Sequence, residues 1–316
     1  MSPRMAGAAA LALLTLAAGL AHAQQARRPF WPASQQAPQA THAAQAQRSV
    51  PAGEVDTIPF HKASSTMVRL RLEQTPTRYQ AWADNLLPGP VEVELAASRS
   101  RGVVASPALP VRKVVPGRSS VLVATLIVAD PLAGSDFQLQ LDALPGDPHA
   151  QPLGVTYQLP FAAPVRVDQG PGGQFSHDDA QNFDAVDFAL PEGTPVLAAR
   201  DGVVMQVEGD FDKAGLDKEQ YGGRSNFIRI LHGDGTMAVY AHLKPEGVLV
   251  RMGESVKAGE RIGLSGNTGF STAPHLHFVV QVNAGMQLVS VPFEMTGPLG
   301  ILRFARTAPS PRQSQP

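Results

Sequence analysis

Five side chains in the later part of the chain are equipped for acid–base or metal chemistry: His177, Asp187, His242, His275 and His277. His275 and His277 stand one residue apart in the run STAPHLHFVV, residues 271–280. In an extended strand, residues i and i+2 share a face. The two imidazoles therefore project side by side, while Leu276 and Phe278 face the other way. Histidine is costly to bury beside Phe278 and Val279 unless its ring nitrogens are satisfied. A metal ion satisfies them, as does a metal ligand beside a proton-transfer group. Asp187 lies in AVDFAL, where a lone carboxylate among Val186, Phe188 and Leu190 is expensive to bury unpaired. His242 closes another apolar run, MAVYAHL, residues 237–243.

Two histidines and one carboxylate, with a fourth position left to water, make a catalytic zinc arrangement. Zinc held this way lowers the pKa of its water to about 7. Two further histidines then handle protons and stabilise an oxyanion. The chain has no cysteine, so any metal takes nitrogen and oxygen ligands and no disulfide contributes to stability. No His-Glu-x-x-His helix is present, which excludes the common helical zinc-protease design.

The elements that must carry these groups read as short strands. In the first half, residues 67–74, 78–85, 91–98 and 119–128 alternate apolar and polar positions, broken by LLPGP, VPG and ALPGDP. That pattern predicts a β-sandwich over 53–162. Its histidines, His61 and His149, are isolated and read as surface residues. Strands at 195–200, 203–210, 226–232, 237–243, 261–266 and 275–282 follow in a second domain over 163–305. No segment has the period of a long helix, so both domains are expected to be all-β. His232, beside the turn GDG, reads as a surface histidine. The stretch 209–221 reads as a surface loop forming a groove wall, since its Asp spacing lacks the terminal Glu of a calcium loop. Asn226, Phe175, Tyr221 and Phe270 are candidates to line that groove.

At the start, Arg4, the apolar run 5–20 and AHA at 21–23 predict a cleaved export signal over 1–23. Residues 24–52 are a Gln-, Ala- and Pro-rich linker, and 306–316 a polar tail. No later segment is long and apolar enough to span a bilayer. The net charge of −1 and the lack of a basic stripe argue against a nucleic-acid partner.

The stretches FSH, AVDFALPEGTPVLAARDGVV, NFIRILHGDGTMAVYAHL, VRMGESVKAGERIGLSGNTGFST and PHLHF, taken together, resemble the LytM or lysostaphin-type zinc metallopeptidases. The likeness covers roughly residues 165–290. It implies a β-sheet peptidase domain holding one zinc ion per chain on His177, Asp187 and His277. It places the catalytic histidines at His242 and His275. It implies an exported bacterial enzyme, periplasmic or extracellular, that hydrolyses peptide bonds of peptidoglycan. One departure stands out: nine residues separate His177 from Asp187, where many relatives have three. The competing function is a non-catalytic peptidoglycan-binding or amidase-activating module on the same fold. Relatives that have lost activity usually lack one or more of these groups, and this chain keeps all of them.

Overall fold

A computed structural model describes residues 67–305. The expected leader, linker and tail, the first residues of the sandwich and His61 lie outside the described residues. The architecture is all-β.

The first half forms two sheets. One runs Val68–Thr75, Arg78–Asn85, Ser120–Val128, Val103–Ser106, and the other Val111–Val115, Val91–Arg101, Asp136–Pro145. Alternate residues Val91, Val93 and Leu95 are fully buried, as are Ala81 and Ala83 across the core. His149 is exposed, as the sequence predicts.

The second half is built on a ten-stranded sheet. Its main path is Ser255–Val256, Gly202–Glu208, Asn226–Leu231, Met237–Val248, Leu276–Asn283, Val186–Phe188 and Val167–Gln169. One face is apolar throughout: Ile228, Ile230, Tyr240, Leu276 and Phe278 are all fully buried in a single core. Burying Leu276 and Phe278 contributes roughly 1.5–3 kcal/mol each. A one-residue slip of Leu276–Asn283 would exchange them for His275 and His277, so the core fixes the register that aims the histidines the other way.

The opposite face carries the histidines at one end and apolar residues at the other. Phe227 and Leu231 share it on one strand, Met237 and Ala241 on the next, and His277 and Gln281 on the third, all in paired register. Leu231 and Met237, with Met205 and Leu288, join the core of the sandwich. The sandwich thus covers the far end of the face that bears the chemistry. Polar contacts tighten this seam: Met286 N donates to Glu92 Oε2 at 2.7 Å and Leu153 N to Asp234 Oδ2 at 3.3 Å.

Candidate metal centre

Asp187 and His277 are directly opposed on antiparallel neighbours, and Ala241 opposes His277 on the other side. Their side chains share a face, and the small Ala241 leaves room above it. His277 Nδ1 lies 2.9 Å from Asp187 Oδ1. The same oxygen lies 3.2 Å from His177 Nε2 and 3.8 Å from His275 Nε2. Burial raises the Asp187 pKa, but the bonds from His177 and His277 outweigh it and hold the carboxyl well below its ordinary value.

His177 reaches this point from a loop. Gly172 N donates to Phe183 O at 2.7 Å, which pinches the loop shut and returns His177 to the sheet despite its distance from Asp187 in sequence. His177 is fully buried, and its Nδ1 lies 2.9 Å from Gly170 O. A carbonyl oxygen only accepts, so Nδ1 carries the hydrogen. A neutral ring then turns the Nε2 lone pair against the lone pairs of Asp187 Oδ1, which repel it. Something positive belongs between them. In the absence of metal a proton serves: burial opposes the charged ring, yet the Asp187 bond and charge raise its pKa. A divalent cation answers the same need. His177, Asp187 and His277 each offer one ligand atom, all within 4.8 Å of one another. Two nitrogens and one carboxylate oxygen, with the cleft side open, fit a zinc site that keeps a position for water.

His242 arrives by a break in the strand. Asn226 pairs with Leu243 and Phe227 with Ala241, so His242 is the extra residue of a bulge, with φ +61°. Strict alternation would put its ring with Tyr240 in the core; the bulge turns it to the other face. There its ring centroid lies 4.5 Å from that of His275 and 5.8 Å from that of His277. His242 Nδ1 donates to Thr268 O at 2.6 Å, and His275 Nδ1 to Ala273 O at 2.8 Å. Each carbonyl thus engages Nδ1 and leaves Nε2 as the ring nitrogen not tied to the backbone. Burial, then the neighbouring His275 and His277, push the His242 pKa down to about 3, so it is neutral near pH 7.

An open cleft beside Asp187 and His275 is lined by Gln169, Phe175, Ser176, Phe270 and Thr272. Phe175 and Phe270 stack at 4.8 Å and 8°, forming an aromatic wall. Three sequence expectations need correction. Asn226 does not line the groove. It is fully buried, its Oδ1 accepts from Phe211 N at 2.9 Å, and its Nδ2 donates to Phe211 O and Leu243 O at 2.8 and 3.2 Å. It is a bracket for the 209–225 loop. His232 is fully buried rather than on the surface: its Nδ1 donates to Asp201 O at 2.8 Å and its ring packs against Tyr157. Burial lowers its pKa to about 4. Tyr221 ends the four-residue helix Lys218–Tyr221 and packs on Gly215, whose neighbour across a parallel pair is Phe270. It stands behind the aromatic wall, outside the cleft lining. Sequence reasoning missed Gln169 and Thr268. Their contacts are to backbone or across the sheet, and no local pattern marks them.

The model of peptidase family M23 matches residues 181–288. This chain carries a peptidase family M23 domain. The match begins just after His177, so that residue is joined to the site by its geometry. An uncharacterised metalloprotease of Haemophilus influenzae is 44% identical over 98 residues, covering 31% of this chain and 18% of the relative. Peptidoglycan DD-endopeptidase ShyA of Vibrio cholerae is 45% identical over 92 residues, 29% of this chain and 18% of that protein. The chain thus spans about a fifth of the length of these curated relatives. Among solved structures, the catalytic domain of the prophage-encoded M23 protein EnpA from Enterococcus faecalis is similar at 27% identity and a TM-score of 0.32, covering 42% of this chain and 92% of that one. In this M23 domain the metal suited to the His/Asp/His set is zinc.

Proposed function

We propose that the chain is an exported zinc-dependent metalloendopeptidase that hydrolyses peptide bonds of bacterial peptidoglycan, in cross-links or stem peptides, from the periplasm or the cell exterior. The observation that carries this reading is the convergence of His177 Nε2, Asp187 Oδ1 and His277 Nδ1 beside two more histidines whose Nδ1 atoms are held by backbone carbonyls. The name of the Vibrio cholerae relative, a peptidoglycan DD-endopeptidase, supports the substrate class. The Arg4 and 5–20 leader pattern supports export.

His177, Asp187 and His277 would hold the zinc. The bound ion supplies Lewis acidity that polarises the scissile carbonyl and acidifies a water. The remaining work falls to the protein. One of His242 and His275 accepts the water proton at Nε2. The other, with a hydrogen at Nε2, would stabilise the oxyanion, and the proton taken from water passes on to the leaving amine. Thr268 O and Ala273 O fix the tautomers that make this possible. The aromatic wall of Phe175 and Phe270 lines one side of the cleft.

The test is mass spectrometry of fragments released from purified peptidoglycan. The wild-type chain is expected to generate new amino termini. His277→Ala should lose both zinc and hydrolysis, and His275→Ala hydrolysis alone, with zinc retained. A wild-type chain that binds zinc yet releases no peptide would overturn the enzymatic reading in favour of a binding or regulatory module.

A further inference from the structure

The side chain of Gln169 sits where two of the three metal-ligand residues are held. Gln169 directly opposes Asp187 on the edge strand Val167–Gln169, so the two side chains share a face. Its Nε2 donates to Asp187 Oδ2 at 3.3 Å and to Ser176 Oγ at 2.8 Å. Its Oε1 accepts from Phe175 N at 3.3 Å. The loop that delivers His177 is wrapped around this amide. Gly173 passes so close that a Cβ there would lie 2.2 Å from Gln169 Cγ. The next carbonyl after Gln169, that of Gly170, receives the His177 Nδ1 hydrogen.

We propose that Gln169 is a positioning residue for the metal centre: its N–H occupies Asp187 Oδ2 and so presents Oδ1 alone to the ion. The inference rests on the zinc-site reading above. A carboxylate is free to rotate about its last bond, and it binds a cation through one oxygen or two. With Oδ2 engaged by the amide, Oδ1 stays directed at His177 and His277. Without that bond the carboxylate can turn edge-on to the ion, or toward His275 Nε2 at 3.8 Å. Partners of this kind orient ligands and commonly alter metal affinity by about 10- to 100-fold when removed.

Gln169→Glu separates positioning from packing. Glutamate has the same size and still accepts from Phe175 N, so the loop keeps its anchor. It loses the N–H toward Asp187 and sets a second carboxylate against the first. The full chain, wild type and variant, is stripped of metal. Each is then titrated with zinc against a competing chelator, and loaded with cobalt for visible absorption, which weakens as coordination rises above four. Melting of the metal-free proteins reports the fold. The expected result is a fall in zinc affinity of about 10- to 100-fold and a weaker cobalt band for Gln169→Glu, with a fall in metal-free stability smaller than the loss in zinc binding. Gln169→Ala should lose affinity similarly but also melt lower. Wild-type affinity and an unaltered cobalt spectrum in Gln169→Glu would remove the assignment. So would an affinity loss accompanied by an equal fall in metal-free stability. A wild-type chain that takes up no metal would instead sink the metal site itself, a result distinct from either.

Discussion

At the scale of single residues, the site depends on ring nitrogens whose hydrogens are assigned by backbone carbonyls. Gly170 O, Thr268 O and Ala273 O each take an Nδ1 hydrogen and leave Nε2 for chemistry. Asp187, His275 and His277 were legible in the sequence, because alternation in an apolar strand exposes a misplaced polar group. His242 was legible as a residue type but not by position: period two sends it into the core, and only the bulge brings it out. That bulge stores strain, because φ +61° places a side chain in a region suited to glycine. Non-glycine residues there cost of order 1–3 kcal/mol. His242→Gly should therefore be more stable than His242→Ala by about 1 kcal/mol in chemical denaturation, with both inactive and both able to bind zinc. Equal stabilities would mean that the strained backbone relaxes once the ring is gone.

At the scale of elements, the strands around the site are held in register by what lies beneath and beside them. Most were readable from alternation: the sequence strands at 226–232, 237–243 and 275–282 match Asn226–Leu231, Met237–Val248 and Leu276–Asn283 within a few residues. The loops were not, since their order comes from contacts distant in sequence. His177 is returned to Asp187 by the Gly172–Phe183 bond, and the 209–225 loop is pinned by Asn226. His232 looked exposed because GDG is a polar turn, yet Tyr157 and Asp201, far away in the chain, bury it. Replacing Asn226 by Ala leaves the Phe211 N–H and C=O without their partner, while Leu243 O keeps Thr268 Oγ1, at about 1–3 kcal/mol for a buried unsatisfied group. The expected outcome is a lower melting temperature and faster proteolytic nicking between residues 209 and 225. Unchanged nicking would show that the loop is held by its pairing with Gly269–Phe270 instead.

At the scale of the whole molecule, one apolar core runs from the sandwich into the peptidase sheet through Met205, Leu231, Met237 and Leu288. The sandwich was recognisable from its strand spacing. Its seat on the face that bears the histidines was not, because that contact joins residues of both halves that look like ordinary core positions. A shared core implies that the two halves unfold together. Leu231→Ala removes fully buried atoms at the seam and should cost about 2–5 kcal/mol. Calorimetry is expected to give a single transition, shifted as a whole. Two transitions with only one displaced would mean the halves are energetically independent.

The convergence of His177, Asp187 and His277 on one ion can be observed directly, by diffraction from zinc-grown crystals at the zinc absorption edge. One anomalous peak is expected per chain, about 2.0–2.2 Å from His177 Nε2, Asp187 Oδ1 and His277 Nδ1, with His242 and His275 unbonded to it. No peak there, or a peak held by His242 or His275 in place of those atoms, would contradict the assignment on which the proposed peptidase activity depends.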